Sequence, residues 1–164
     1  MSLLRFASCL ALALWIGGLA VLGGVAAPTL FEVLESGDPT GGRVLAAELF
    51  GTIFTRFQHL AWILGGCLVG LLILRGVLGP RPRPFAIRFG AATLMLALSL
   101  VTGLVLVPRI DAIRLDTKGA LAALADTDAR KIEFGRLHGL SNGLMGVTLI
   151  SGIWLLWMEM KDPH

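Results

Sequence analysis

Two histidines follow arginines at the start of two long apolar stretches of the sequence. His59 comes three residues after Arg56, and His138 comes two residues after Arg136. A neutral imidazole is a ligand for transition metals and for haem iron, so two of them on facing helices would be able to share one ion. The sequence therefore predicts His59 and His138 as metal ligands, with the cofactor, a transition metal or haem, left undetermined.

Polar side chains extend this pair into a larger predicted site. Ser141 and Asn142 lie three and four residues after His138, which places the three side chains on one face of a helix. Asp111 would orient one imidazole, as carboxylates do for metal-bound histidines. The predicted ligand-binding site holds eight residues near the outer membrane boundary: Arg56, His59, Arg109, Asp111, Arg136, His138, Ser141 and Asn142.

Three interpretations of these residues stay open. The site binds a small ligand or metal, or helps to export it; it is a redox site that holds haem or a transition metal; or it is purely structural. In the structural case, Arg109 with Asp111 and Arg136 with Glu133 form ion pairs. The sequence shows no nucleophile–base pair, phosphate-binding loop or carboxylate dyad, so we do not predict an enzyme.

The elements that position these residues are apolar helices. Hydrophobic residues make up 55% of the 164 residues and charged residues only 15%, whereas a soluble domain carries about 25% charged residues. Crossing a bilayer as a helix takes about 20 apolar residues. Four stretches nearly free of charge meet this need, at about residues 6–31, 57–74, 89–108 and 137–158.

The predicted fold is an all-α membrane protein with one domain over residues 1–164, a bundle of four transmembrane helices. The first stretch is longer than a signal-peptide core, so we interpret it as a span. The predicted partner is the lipid bilayer. The sequence leaves open whether the protein forms a homo-oligomer, and it contains no nucleic-acid-binding signature.

The orientation follows from a basic loop. Arg75, Arg81, Arg83 and Arg88 lie between the second and third spans without an acidic residue. Cytoplasmic loops are enriched in arginine and lysine, so this loop and both termini are predicted to be cytoplasmic. The predicted location is the bacterial inner (plasma) membrane, with multiple spans.

The two halves of the chain share a pattern. Pro28 and Pro108, near the ends of spans one and three, are 80 residues apart, and the two histidines are 79 apart. This spacing predicts two tandem helical hairpins, residues 1–79 and 85–160, related by an axis along the membrane normal.

Local signals predict the ends and packing faces of the helices. Asp38-Pro39 is a favourable helix start, and Thr127 or Asp126 is expected to cap the fourth helix. Helices are expected to extend beyond the outer face, since helix three continues past Pro108. Small residues allow close packing in lipid. The predicted packing stripes contain Gly17, Ala20, Gly24 and Ala27 on span one, Gly66 and Gly70 on span two, Gly103 on span three and Gly152 on span four.

Several short motifs resemble a known family. They are Leu49-Phe50, Phe57-Gln58-His59, Pro108-Arg109, and the run from Phe134 to Ser141 that contains His-Gly-Leu-Ser. In these motifs the chain resembles the transmembrane protein 205-like family, also called domain of unknown function 4149. The resemblance implies a small four-span membrane protein without an established reaction.

The resemblance also implies handling of metals, xenobiotics or haem. Animal members are associated with tolerance of platinum drugs, and the family looks related to copper-resistance proteins and to a haem-binding protoporphyrinogen oxidase family that use intramembrane histidines. The oxidase-type relatives pair the histidine with a lysine inside a helix. No span of this sequence contains lysine, which departs from that pattern.

Overall fold

The chain folds almost entirely into helices. The structure is a computed structural model that describes residues 3–39, 41–78, 84–117 and 120–161. Four long helices, α1 (Leu3–Gly37), α2 (Gly41–Leu78), α3 (Phe85–Asp116) and α4 (Ala129–Lys161), are each apolar and long enough to cross a membrane. A short 3-10 helix, Ala120–Ala123, precedes α4. Within the described ranges there is no strand, and the predicted all-α four-helix fold is confirmed.

The helices are longer than a membrane requires. They contain 35, 38, 32 and 33 residues, against the roughly 20 that cross the hydrocarbon. Their ends therefore extend past the apolar layer, as the sequence predicts. Arg75 and Arg88 belong to α2 and α3 and not to a loop, while Arg81 and Arg83 lie outside the described residues.

The four helices form a ring. Helix α1 packs on α2, α2 on α3, α3 on α4, and α4 on α1. We call the end where α1 begins and α4 ends the terminal end, and the opposite end the connection end. Side chains from the start of α1, the end of α2, the start of α3 and the end of α4 meet at the terminal end, so neighbouring helices are antiparallel.

The core lies at the level of Trp15, which is 1% exposed, with Leu12, Leu68, Met95 and Leu155 equally buried around it. A Cβ built on Gly65 would lie 2.9 Å from the Trp15 ring. Absence of that atom lets α1 and α2 approach closely.

The glycines that permit close packing differ in part from the predicted ones. Gly103 packs against Trp62, where an added Cβ would lie 2.5 Å away, and Gly18 and Gly152 are equally confined. An added Cβ on Gly17, Gly24, Gly66 or Gly70 would meet no atom within 4 Å. On spans one and two the confined glycines are Gly18 and Gly65, each one residue from the predicted Gly17 and Gly66. The prediction is wrong for Gly24 and Gly70, whereas Gly103 and Gly152 are confirmed.

Two segments of π-helix interrupt α1 and α3, at Leu22–Ala26 and Thr102–Leu106. The N–H of Ala27 donates to the Leu22 carbonyl, and that of Val107 to the Thr102 carbonyl, which are i to i−5 bonds. A proline ring clashes with the carbonyl four residues earlier, and a widened turn relieves this clash ahead of Pro28 and Pro108. The two segments are 80 residues apart, a spacing in keeping with the predicted repeat.

The helix starts were predicted in part. The Asp38 carboxylate accepts a hydrogen bond from the Gly41 N–H at 3.0 Å, so Asp38 caps α2 as expected. For α4 the prediction is wrong: Asp128 is the cap, since its carboxylate accepts the Arg130 N–H at 2.9 Å. The carboxylate of Asp126 instead pairs with the Lys131 ammonium at 2.7 Å.

Candidate functional site

A cavity of about 610 Å³ opens at the connection end, and all four helices contribute to its wall. Its lower part is apolar, with Leu19 of α1, Phe54 of α2, Val107 of α3 and Leu149 of α4. We call it the connection cavity. Its polar groups lie toward the end of the bundle, on α3 and α4.

The connection cavity contains half of the predicted site. Asp111, His138, Ser141 and Asn142 line it. Four other predicted residues, Arg56, His59, Arg109 and Arg136, are not part of its wall. The structure thus brings His138, Ser141 and Asn142 of α4 together with Asp111 of α3. The predicted α2 residues, Arg56 and His59, do not line the cavity.

The two histidines have different surroundings. The His138 ring stacks on Phe134 with centroids 5.7 Å apart, beside the cavity. Both histidines are exposed, but the His59 ring instead contacts Trp62 in an edge-to-face arrangement with ring centroids 5.1 Å apart. In the described part of the chain, no group of three His, Cys, Asp or Glu side chains could hold a metal ion. The shared metal or haem site therefore gains no support from this geometry.

Gln58, and not the predicted His59, faces the interior of the bundle. Gln58 is 4% exposed; its amide donates to the Ser99 carbonyl at 3.2 Å and accepts the Ser99 hydroxyl at 3.3 Å. This pair joins α2 to α3 and satisfies two polar groups at membrane depth. The polarity of Gln58 was a usable signal that the prediction passed over.

Ser141 differs from the other buried hydroxyl residues. Those of Ser8, Thr102 and Thr148 each donate to the carbonyl four residues earlier, at 2.9 Å. Ser141 is 5% exposed and lines the connection cavity, yet its hydroxyl has no hydrogen-bond partner among the residues that the structure describes. The Asn142 amide, one residue on, likewise has none within the described ranges. Both side chains therefore have their hydrogen-bonding capacity available to a molecule in the cavity.

Arg114 is a cavity residue that the sequence analysis missed. Its guanidinium lies 3.6 Å from the Asp111 carboxylate, 5.7 Å from the Phe134 ring centre, and 3.4 Å from the Ala47 carbonyl. The predicted Arg109–Asp111 pair is therefore replaced by a pair at i, i+3 spacing. That spacing was visible in the sequence.

A second polar cluster, also missed, closes the terminal end. The Glu159 carboxylate is 1% exposed and pairs with Arg88 at 2.7 Å and Arg75 at 2.9 Å. Arg5 donates to the backbone carbonyl of Glu159 and to that of Met160. We call these residues the terminal ion cluster. One side chain from each helix takes part, so the cluster ties all four helices together.

The family can be stated at this point. The sequence model of a domain of unknown function, DUF4149, matches residues 10–118, which is more than half of the chain. The chain belongs to the DUF4149 family. The predicted membership of the domain of unknown function 4149 family is thereby confirmed, whereas the match does not extend to the transmembrane protein 205-like name. No curated protein and no solved structure matches the chain.

The family match covers only part of the wall of the connection cavity in this DUF4149 protein. The matched residues include the α1, α2 and α3 walls of the connection cavity. His138, Ser141 and Asn142 on α4 lie beyond the matched range, as do the His-Gly-Leu-Ser residues of the resemblance. The family description names no ligand or reaction, so the function has to be argued from the cavity itself.

Proposed function

We propose that this DUF4149 membrane protein binds a small amphipathic molecule in the connection cavity. Its volume, about 610 Å³, is within the range of about 300–1,000 Å³ typical of ligand pockets. The wall is largely apolar with a few polar groups at one end, which is the usual composition of such pockets.

The unpartnered Ser141 hydroxyl is the observation that carries the proposal. A hydroxyl that lines a cavity without a protein partner is available to bond a molecule there, and lipid hydrocarbon supplies no hydrogen bond to it. A ligand that bonds Ser141 and Asn142 would satisfy both groups. Its apolar part would lie against Leu19, Met145 and Leu149, deeper in the cavity.

The proposal is confined to binding. Release toward the terminal end would require a second conformation in which the terminal ion cluster opens. A metal is not part of the proposal, because only His138 of the two histidines lines the cavity.

The test is native mass spectrometry of the purified full-length protein, with a pair of matched variants. Ser141→Ala removes the unpartnered hydroxyl, while Ser8→Ala removes a buried hydroxyl that is already bonded to the Leu4 carbonyl. Wild type and Ser8→Ala should retain the same co-purified mass, and Ser141→Ala should retain less of it. No bound mass in wild type, or equal retention by all three proteins, would refute the proposal.

We further propose that the terminal end faces the cytoplasm of a bacterial cell. Arg5, Arg75, Arg88 and Lys161 lie at this end, and Arg81 and Arg83 fall in the short stretch of sequence between α2 and α3. The longer connection-end segments hold more Lys and Arg in total but mix them with acidic residues, so the density of basic residues in a short connection favours a cytoplasmic terminal end. In a chain lacking Cys9 and Cys67, a cysteine at Ser36 should react with an impermeant thiol reagent on intact cells. Reaction only after the membrane is broken would reverse the orientation.

A further inference from the structure

At the connection end, α1 and α4 make few contacts with each other. Below the π segment, the Leu3–Val21 part of α1 packs on both α2 and α4, whereas beyond it the Ala27–Gly37 part packs principally on α2. Contacts between α2 and α3 are also few at this end, but there Arg114 of α3 donates to the Ala47 carbonyl of α2 at 3.4 Å. We call the gap between α1 and α4 the α1–α4 slot.

Glycines keep this slot open. Gly23 and Gly24 on α1 and Gly146 on α4 line the cavity, and an added Cβ on any of them would meet no atom within 4 Å. No side chain at these three positions closes the slot, so the cavity wall is open there.

The slot is as deep as one leaflet. Its lining runs along α4 from His138 to Leu149 and along α1 from Leu19 to Phe31. At 1.5 Å per residue these runs are about 16 and 18 Å long, close to half of the roughly 30 Å hydrocarbon layer. On α2 and α3 the lining is shorter, from Phe50 to Phe54 and from Val107 to Arg114, so the long dimension of the cavity follows α1 and α4.

Polar groups are ordered along this depth. Asp111 and Arg114 provide one negative and one positive charge at the mouth. Ser141 and Asn142 provide unpartnered hydrogen-bonding groups about one turn below His138, and the base is apolar. The complement is a molecule with both charges in its head, hydrogen-bonding oxygens beneath, and a hydrocarbon chain of leaflet length.

Resting on the proposed function, we infer that the α1–α4 slot holds an acyl chain of a zwitterionic phospholipid drawn from the leaflet at the connection end. The phosphate lies toward Arg114 and the head-group ammonium toward Asp111. An ester carbonyl of the lipid accepts from the Ser141 hydroxyl or the Asn142 amide.

The experiment uses the full chain in vesicles of phosphatidylethanolamine and phosphatidylglycerol. A trace of phosphatidylethanolamine with a photoreactive diazirine in mid-chain is added, and labelled peptides are mapped after irradiation. Label should concentrate on residues 19–31 and 138–149. Labelling spread over the lipid-facing residues of all four helices would overturn the inference.

Two glycine variants of α1 provide the matched control. Gly24→Leu fills the slot, whereas Gly17→Leu adds the same side chain at an exposed α1 position outside the cavity wall. The first should abolish the concentrated labelling and the second should leave it unchanged. If Gly24→Leu lowers the melting temperature, Gly146→Leu replaces it and blocks the slot from the α4 side. Undiminished slot labelling in both blocking variants would also overturn the inference.

Two further arms separate the parts of the inference. The same diazirine chain on phosphatidylglycerol, which lacks the ammonium, should label the slot less; equal labelling would overturn the head-group assignment. Suppose instead that purified protein retains a water-soluble molecule in a Ser141-dependent way and no lipid labels the slot. The acyl-chain inference then fails while the proposed binding function stands.

Discussion

The two ends of the bundle handle polar groups in opposite ways. At the terminal end, Glu159, Arg75 and Arg88 are nearly sealed from solvent and bonded to one another across helices. At the connection end, Ser141 and Asn142 face a cavity without partners among the described residues. Buried networks of paired charges hold a fold together, although the Arg5 Nε atom of this cluster has no hydrogen-bond partner among the described residues. Available groups in a cavity are suited to recognition. The comparison assigns stability to the terminal end and binding to the connection end.

Removing the charge at Glu159 should produce the largest effect. Glu159→Gln deletes the carboxylate that Arg75 and Arg88 share, and breaking a buried ion pair costs about 3–5 kcal/mol. We expect a clear fall in the free energy of unfolding, measured by thermal or denaturant unfolding in detergent. Glu133→Gln, at an exposed position on the same helix, is the control. An unchanged melting temperature in Glu159→Gln would mean that the terminal ion cluster does not stabilise the fold.

A second prediction compares adjacent glycines of α2. Gly65→Val forces a side chain against Trp15 and Leu96, while Gly66→Val places the same side chain in open space. Overpacking costs about 1–3 kcal/mol, so Gly65→Val alone should lower the unfolding midpoint. Equal midpoints for the two variants would mean that the helices separate more easily than the core packing indicates.

A third prediction separates the two histidines. His138 lines the connection cavity and His59 does not. His138→Ala should reduce the co-purified mass in native mass spectra, whereas His59→Ala should leave it at the wild-type level. A metal detected by elemental analysis of wild type, and lost in both variants, would instead support the shared metal site.

The smallest effect concerns acid sensitivity at the start of α4. The hydrogen bond from the Arg130 side chain lowers the pKa of the Asp128 carboxyl from 3.8 to about 2. As the pH falls, the Asp128 carboxyl is therefore protonated in the unfolded chain before it is protonated in the folded chain. The stabilisation that ionised Asp128 gives the fold is complete above pH 3.8 and is lost as the pH falls through about 2. Asp128→Asn should lose less stability than wild type over that window, as followed by circular dichroism. Identical acid transitions in the two proteins would contradict the prediction.

The sequence predicted the spans because long uncharged stretches leave few alternatives in lipid. It did not predict which side of each span faces inward. A helix that is apolar all round has no polar face to mark its orientation, which is why Gly66 was chosen over Gly65 and His59 over Gln58. The face of α4 was found because its polar residues recur at helical spacing.

The terminal ion cluster was missed for a different reason. Its members come from four helices and are separated by as many as 154 positions along the chain, from Arg5 to Glu159. Each looks like an ordinary charge at the edge of a span. Only their common depth in the folded bundle brings them together, and depth depends on where each long helix begins beyond the membrane.

A crystal structure of the full chain grown from a lipidic phase would test the binding claim most directly. The account predicts elongated density in the α1–α4 slot, with one end within hydrogen-bond distance of the Ser141 hydroxyl, and an intact terminal ion cluster. A collapsed slot in which the Ser141 hydroxyl donates to a carbonyl of its own helix would contradict it.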